Sequence, residues 1–141
     1  MKFGVVVFPG SNCDRDMQEA LQNSGLSAED ISYINAHGTG TENNDETESR
    51  AMLRLFEKVP AFSSTKSYTG HTLGAAGAVE AIYSILNLVH QEVYPSLLFR
   101  NPIPETGLIP VRAYAKQEIR HVMSNSFGFG GNCSTLIFSK T

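Results

Sequence analysis

The chain has no tryptophan, only two cysteines, no cluster of basic residues and no uninterrupted apolar run of membrane-spanning length. Eleven Lys and Arg are scattered along 141 residues against fourteen Asp and Glu, giving a formal net charge of −3. Nothing here supplies the positive field that holds a phosphate backbone, so nucleic acid is not an expected partner. Cys13 and Cys133 form neither a C-x-x-C pair nor a dense disulfide framework, which points to a reduced, cytoplasmic chain, with a disulfide between the two left open. The apolar start at 3–8 is too short for a secretory leader and ends at Pro9-Gly10 without a small-residue cleavage pattern. The longest weakly charged stretch, 73–89, carries Glu80 at its centre and reads as a core helix, with no membrane span. Internal repeats and low-complexity tracts are absent.

What is present is the composition of one soluble globular domain, 41% hydrophobic. Residues 3–8 are a continuous apolar run, as in a central parallel strand buried on both faces. Asn12 or Asp14 then caps a helix with Met17, Ala20 and Leu21 on one face, ending near Gly25. A second strand at 31–34 delivers His37 at its end. Asn43 or Asn44 caps a helix carrying Ala51, Met52, Leu55, Phe56 and Val59, stopped by Pro60. A third strand at 61–65 leads through Gly70-His71-Thr72 into the longest helix, whose apolar stripe is Ala75, Val79, Ile82, Tyr83, Leu86 and Val89. Four prolines make 94–116 an extended crossover, and runs at 121–125 and 134–138 flank a Gly-rich turn as an antiparallel pair. The alternation predicts an α/β fold, βαβαβαββ, with a mixed five-stranded sheet, mostly parallel with one antiparallel strand.

Three small-residue segments hold the polar signal: Asn35-Ala-His-Gly-Thr-Gly-Thr41, Lys66-Ser-Tyr-Thr-Gly-His-Thr-Leu-Gly-Ala-Ala-Gly77 and Asn125-Ser-Phe-Gly-Phe-Gly-Gly131. Their order and spacing resemble the C-terminal half of an elongating β-ketoacyl carrier-protein synthase, from about residue 17 to the C-terminus. The resemblance implies one half of the thiolase fold, of which two stack as an αβαβα sandwich. Residues 1–16 instead resemble the opening strand and loop of the glutaminase subunit of phosphoribosylformylglycinamidine synthase. The expectation is a single half-domain, 1–141, in which a foreign strand and loop at 1–16 precede a ketosynthase half at 17–141. An engineered chimera without activity accounts for that juxtaposition, its rival being a natural truncated gene with a convergent start.

The resemblance assigns roles residue by residue. His37 and His71 match the two imidazoles that donate N–H to the enolate oxygen formed when a malonyl thioester loses carbon dioxide. The start of the long helix disfavours an imidazolium at His71. Lys66 matches a structural and electrostatic lysine, with Glu80 as its partner because a carboxylate in so apolar a helix needs a cation or several donors. Asn35 helps hold the strand end. Thr39 and Thr41 match hydroxyls lining the pantetheine arm, and Phe129 matches a gate whose backbone N–H forms half of an oxyanion hole. His37, His71 and Lys66 are thus expected as vestigial catalytic groups, Thr39, Thr41 and Phe129 as substrate contacts, and Glu80 and Asn35 as supports.

The departures matter too. The family's nucleophilic cysteine has no counterpart, since Cys13 lies in the glutaminase-like segment, and one of the family's two gating loops is missing. Cys133 replaces an asparagine beside a buried ion site, and no metal is expected. No small-molecule cofactor is implied; acyl carrier protein is a partner by resemblance alone. An unmatched apolar face on the long helix implies a homodimer. His90 and His121 carry no motif, and the spacing of Gly70, Gly74 and Gly77 suits close packing better than a dinucleotide loop. A fragment active only beside a cysteine-bearing half is the alternative function; a glutaminase piece is set aside for want of nucleophile and base.

Overall fold

The computed structural model describes residues 2–9, 13–128 and 132–140. Strand β1 (Lys2–Pro9) is followed by helix α1 (Cys13–Ser24), strand β2 (Tyr33–Asn35), helix α2 (Glu42–Leu55), strand β3 (Ala61–Ser63), the single turn α3 (Lys66–Thr69) and helix α4 (Ala76–His90). Two-residue strands β4 (Glu92–Val93) and β5 (Ala115–Lys116) pair across the proline-rich crossover, and β6 (His121–Phe127) and β7 (Asn132–Ser139) complete the chain.

The main sheet has the order β1-β7-β6-β2-β3. β2 is parallel to both β3 and β6, whereas β7 runs antiparallel to β6 and β1, so four strands share one direction and β7 opposes them. This is the expected mixed sheet, with one correction. β1 is not central but lies at an edge, paired among the described residues to β7 alone, from Lys2↔Ser139 to Pro9↔Asn132. A continuous apolar run reports on the faces of a strand and is blind to how many neighbours hydrogen-bond to its sides.

Alternation along the strands divides the core. Ile34, Met123 and Ile137 meet α1 and α2 on one face through Met17, Leu21 and Met52, whereas Tyr33, Val122 and Phe138 meet Leu88 of α4 on the other. Burying each such large side chain contributes on the order of 2 kcal/mol. α1 ends as expected: Gly25 takes φ +70°, and the Leu26 N–H bonds back to the Leu21 carbonyl (3.2 Å). Neither asparagine caps α2. Thr41 is the cap residue and Asn43 and Asn44 lie within the helix, while Asp45 accepts the Gly40 N–H at 3.2 Å. The helix stops at Leu55, short of Pro60, because Phe56 turns into the core at 4% exposure.

Leu73–His90 is long and apolar enough to cross a bilayer by composition. Its packing is that of a helix lying on β6 and β7, and the face turned to the sheet is largely polar: Glu80, Ser84 and Asn87 are buried there with Ala76 and Leu88. The apolar stripe points away. Leu73, Ile82 and Val89 are 78%, 59% and 59% exposed, and Val79, Tyr83 and Leu86 are half-buried. An amphipathic helix normally shows the reverse arrangement.

Candidate active site

The ends of β2 and β3 bring the first two motifs together. After Asn35 the chain leaves the sheet and turns sharply at Gly38, φ +44°, where a Cβ would stand 2.5 Å from the Cβ of Ser64; only glycine fits. The Ser64 hydroxyl donates to the Gly38 carbonyl (2.9 Å), locking this turn to the segment after β3. Asn35 Nδ2 donates to the Glu80 carbonyl (3.0 Å) and Ser84 Oγ (3.4 Å), tying the strand end to α4.

Lys66, nearly buried at the start of α3, is the hub. Its Nζ donates to the His37 carbonyl (2.6 Å), to His37 Nδ1 (3.2 Å) and to the Glu80 carboxylate, with which it forms an ion pair; Ser126 Oγ donates to the other Glu80 oxygen (3.0 Å). The expected Lys66–Glu80 partnership is thus present and buried. Burial raises the Glu80 carboxyl above its ordinary range, with the Lys66 and Ser126 bonds pulling the other way.

The second imidazole stands against the first: the His37 and His71 rings are 5.6 Å apart at 89°, and Phe127 covers His37 from 5.7 Å. Hydrogen bonding fixes both tautomers. An ammonium facing His37 Nδ1 makes that nitrogen an acceptor, so the ring proton lies on Nε2. The Leu73 N–H donates to His71 Nδ1 (3.1 Å) with the same consequence. Burial first, then Lys66 and His71, push the His37 pKa down to about 4. NMR titration is expected to find the His37 midpoint near that value. Because the native ring binds its proton less readily than the unfolded one, His37 makes stability fall as pH drops from 6.5 towards about 4.

Thr39 and Thr41 lie in the exposed turn after His37, their hydroxyls 2.9 Å apart. Thr39, Lys66 and His71 line a cleft of about 510 Å³ whose apolar wall includes Met52, Phe62 and Phe99. Phe129 lies outside the described residues. Cys13 is half-buried, and its thiol is pushed up to about 12, chiefly by burial and then by Glu48, so it is a poor nucleophile. Cys133 is buried in β7 opposite Phe127. Among the described residues no group of three or more His, Cys, Asp or Glu is placed to hold a metal ion.

Sequence reasoning missed Glu48. Its two oxygens accept the backbone N–H groups of His37 and Gly38 (both 2.9 Å), and burial raises its carboxyl. Its signal was an acid on the same α2 face as buried Ala51 and Met52, three and four residues on.

Residues 7–100 match the family described as beta-ketoacyl synthase, C-terminal domain. The chain is 45% identical over 130 residues to the mitochondrial 3-oxoacyl-acyl-carrier-protein synthase of Arabidopsis thaliana, covering 87% of this chain and 28% of that protein. It is 42% identical over 137 residues to 3-oxoacyl-acyl-carrier-protein synthase 2 of Vibrio cholerae, covering 93% and 33%. A beta-ketoacyl synthase from Burkholderia phymatum superposes with a TM-score of 0.89 at 37% identity, over 99% of this chain and 36% of its own. AntDE:AntF, a type II polyketide ketosynthase in complex with its acyl-carrier protein, superposes at 0.91 with 26% identity, over 98% and 38%. The chain spans 28% to 33% of the length of the curated relatives it matches. The family match covers well over half of the chain, and the protein belongs to the beta-ketoacyl synthase family, in the region of its C-terminal domain.

Proposed function

We propose that this chain carries the enolate-stabilising half of a decarboxylative condensing site and that its 141 residues, by themselves, condense no substrate. One observation carries the reading: with Lys66 on Nδ1 of His37 and the Leu73 N–H on Nδ1 of His71, two adjacent neutral imidazoles each keep Nε2–H as their only donor. When a malonyl thioester breaks its bond to carbon dioxide, the electron pair moves into an enolate whose oxygen takes these two N–H groups. The carbon then attacks the carbonyl of an acyl thioester, forming the carbon–carbon bond as the carbon–sulfur bond breaks and the thiolate leaves. That thioester requires a cysteine thiolate, a role for which the raised Cys13 thiol is unsuited. Thr39, which lines the cleft, and Thr41, whose hydroxyl lies 2.9 Å from that of Thr39, are the hydroxyls for a pantetheine arm, and Phe129 is the gate. Acyl carrier protein, named in the relatives and bound in the AntDE:AntF structure, is the carrier this reading gives the chain, with no further cofactor.

The silent state follows from a chimeric origin in which residues 1–16 come from a glutaminase of purine synthesis. An edge strand paired by backbone bonds to β7 tolerates foreign side chains better than a central one, which favours such a graft; the family match begins at residue 7, which limits the segment outside it to residues 1–6. A second reading, in which activity returns beside a cysteine-bearing half, is favoured by the assembled imidazole pair and the outward apolar face of α4. Release of carbon dioxide from a malonyl thioester, followed with and without such a half, separates the two. No turnover in either case is expected on the first reading, decarboxylation only in the mixture supports the second, and condensation by the chain alone overturns both.

A further inference from the structure

Glu48 is fully buried, and its identified partners are neutral: the His37 and Gly38 N–H groups and Asn125 Nδ2 (3.2 Å). Asn125 is in turn held by Thr135, whose hydroxyl donates to Asn125 Oδ1 (3.1 Å). Burying a carboxylate with neutral donors is costly compared with burying a glutamine of the same shape. A glutamine, however, has a single acceptor oxygen and would set its NH2 against one of two backbone N–H groups, donor facing donor. The site therefore demands two acceptors diverging from one carbon. The backbone of the His37 turn is gripped on both sides, its N–H groups by Glu48 and its carbonyls by Lys66 and Ser64.

We propose that Glu48 is a positioning residue for His37: it fixes the turn that holds the ring against Lys66, and Asn125 and Thr135 extend that hold to β6 and β7. The catalytic meaning of this rests on the reading of His37 as an N–H donor, but the positioning is measurable in this chain without any turnover. Histidine-labelled NMR of the full chain is expected to give His37 as a single Nε2–H tautomer. Glu48→Gln is expected to bring in the second tautomer and to raise the His37 midpoint by about one pH unit, as contact with Lys66 loosens. A general loss of stability would leave the tautomer unmoved, so a folded Glu48→Gln with an unchanged His37 spectrum overturns the proposal. Should that variant not fold, Thr135→Val decides: a mixed tautomer at His37 supports the relay, and an unchanged ring overturns it. A chain that never turns over substrate can still pass this test, and one that turns over can still fail it.

Discussion

Lys66→Met is expected to destabilise the chain by about 3–5 kcal/mol in urea unfolding, because it removes one member of a buried pair and strands the other. Glu80 is 1% exposed, and without Lys66 the Ser126 hydroxyl alone among the described residues would remain hydrogen-bonded to its carboxylate oxygens. The same substitution leaves the His37 carbonyl and Nδ1 without their lysine donor. Adding Glu80→Gln to Lys66→Met removes the stranded charge, so the double variant should be more stable than the sum of the single losses predicts. A second readout ties the pair to the site. Lys66 is one of the groups holding the His37 pKa at about 4, so the midpoint should rise in Lys66→Met. If Lys66→Met falls within about 0.5 kcal/mol of the parent, the pair behaves as an exposed one and the hub described here does not exist.

His37, Lys66 and His71 were legible through the family resemblance that their motifs carry, each lying just after a strand or ahead of the long helix, and Glu80 was legible as the one acid within that helix. Asn35 was legible through the same resemblance. Glu48 was not, since its partners are backbone N–H groups, which leave no side-chain signature, and since an acid within α2, beside Glu46 and Asp45, reads as part of a solvated face. The direction of the strands came from the order of elements, yet the edge position of β1 did not. It depends on β7 returning antiparallel between β1 and β6, a long-range pairing that no local pattern encodes. The helix caps failed in a similar way. Asn43 and Asn44 are good cap residues by type, but Gly40 with φ +76° already turns the chain, and Asp45 takes its N–H.

The outward stripe of α4 sets the second large effect. Its polar residues are spent on neighbouring elements, Glu80 on Lys66 of α3 and Ser126 of β6, Asn87 on the Glu92 carbonyl of β4 (2.6 Å), so the helix is anchored by the face that would ordinarily meet solvent. Ile82 and Val89 are then left exposed along one side, with Tyr83 and Leu86 half-covered between them and Val79 half-covered one turn before. Contiguous apolar surface of this kind drives association, and a second copy offers the identical stripe about a two-fold axis. In a homodimer formed through this stripe, as expected from the sequence, burying Ile82 in both copies contributes about 3–6 kcal/mol, so Ile82→Asp should weaken self-association by roughly 10²- to 10⁴-fold. Sedimentation should show the parent as a dimer at micromolar concentration and Ile82→Asp as a monomer of unchanged secondary structure, because this side chain points away from the sheet and its loss leaves the Lys66–Glu80 pair intact. A parent chain that sediments only as a monomer at micromolar concentration would overturn the homodimer.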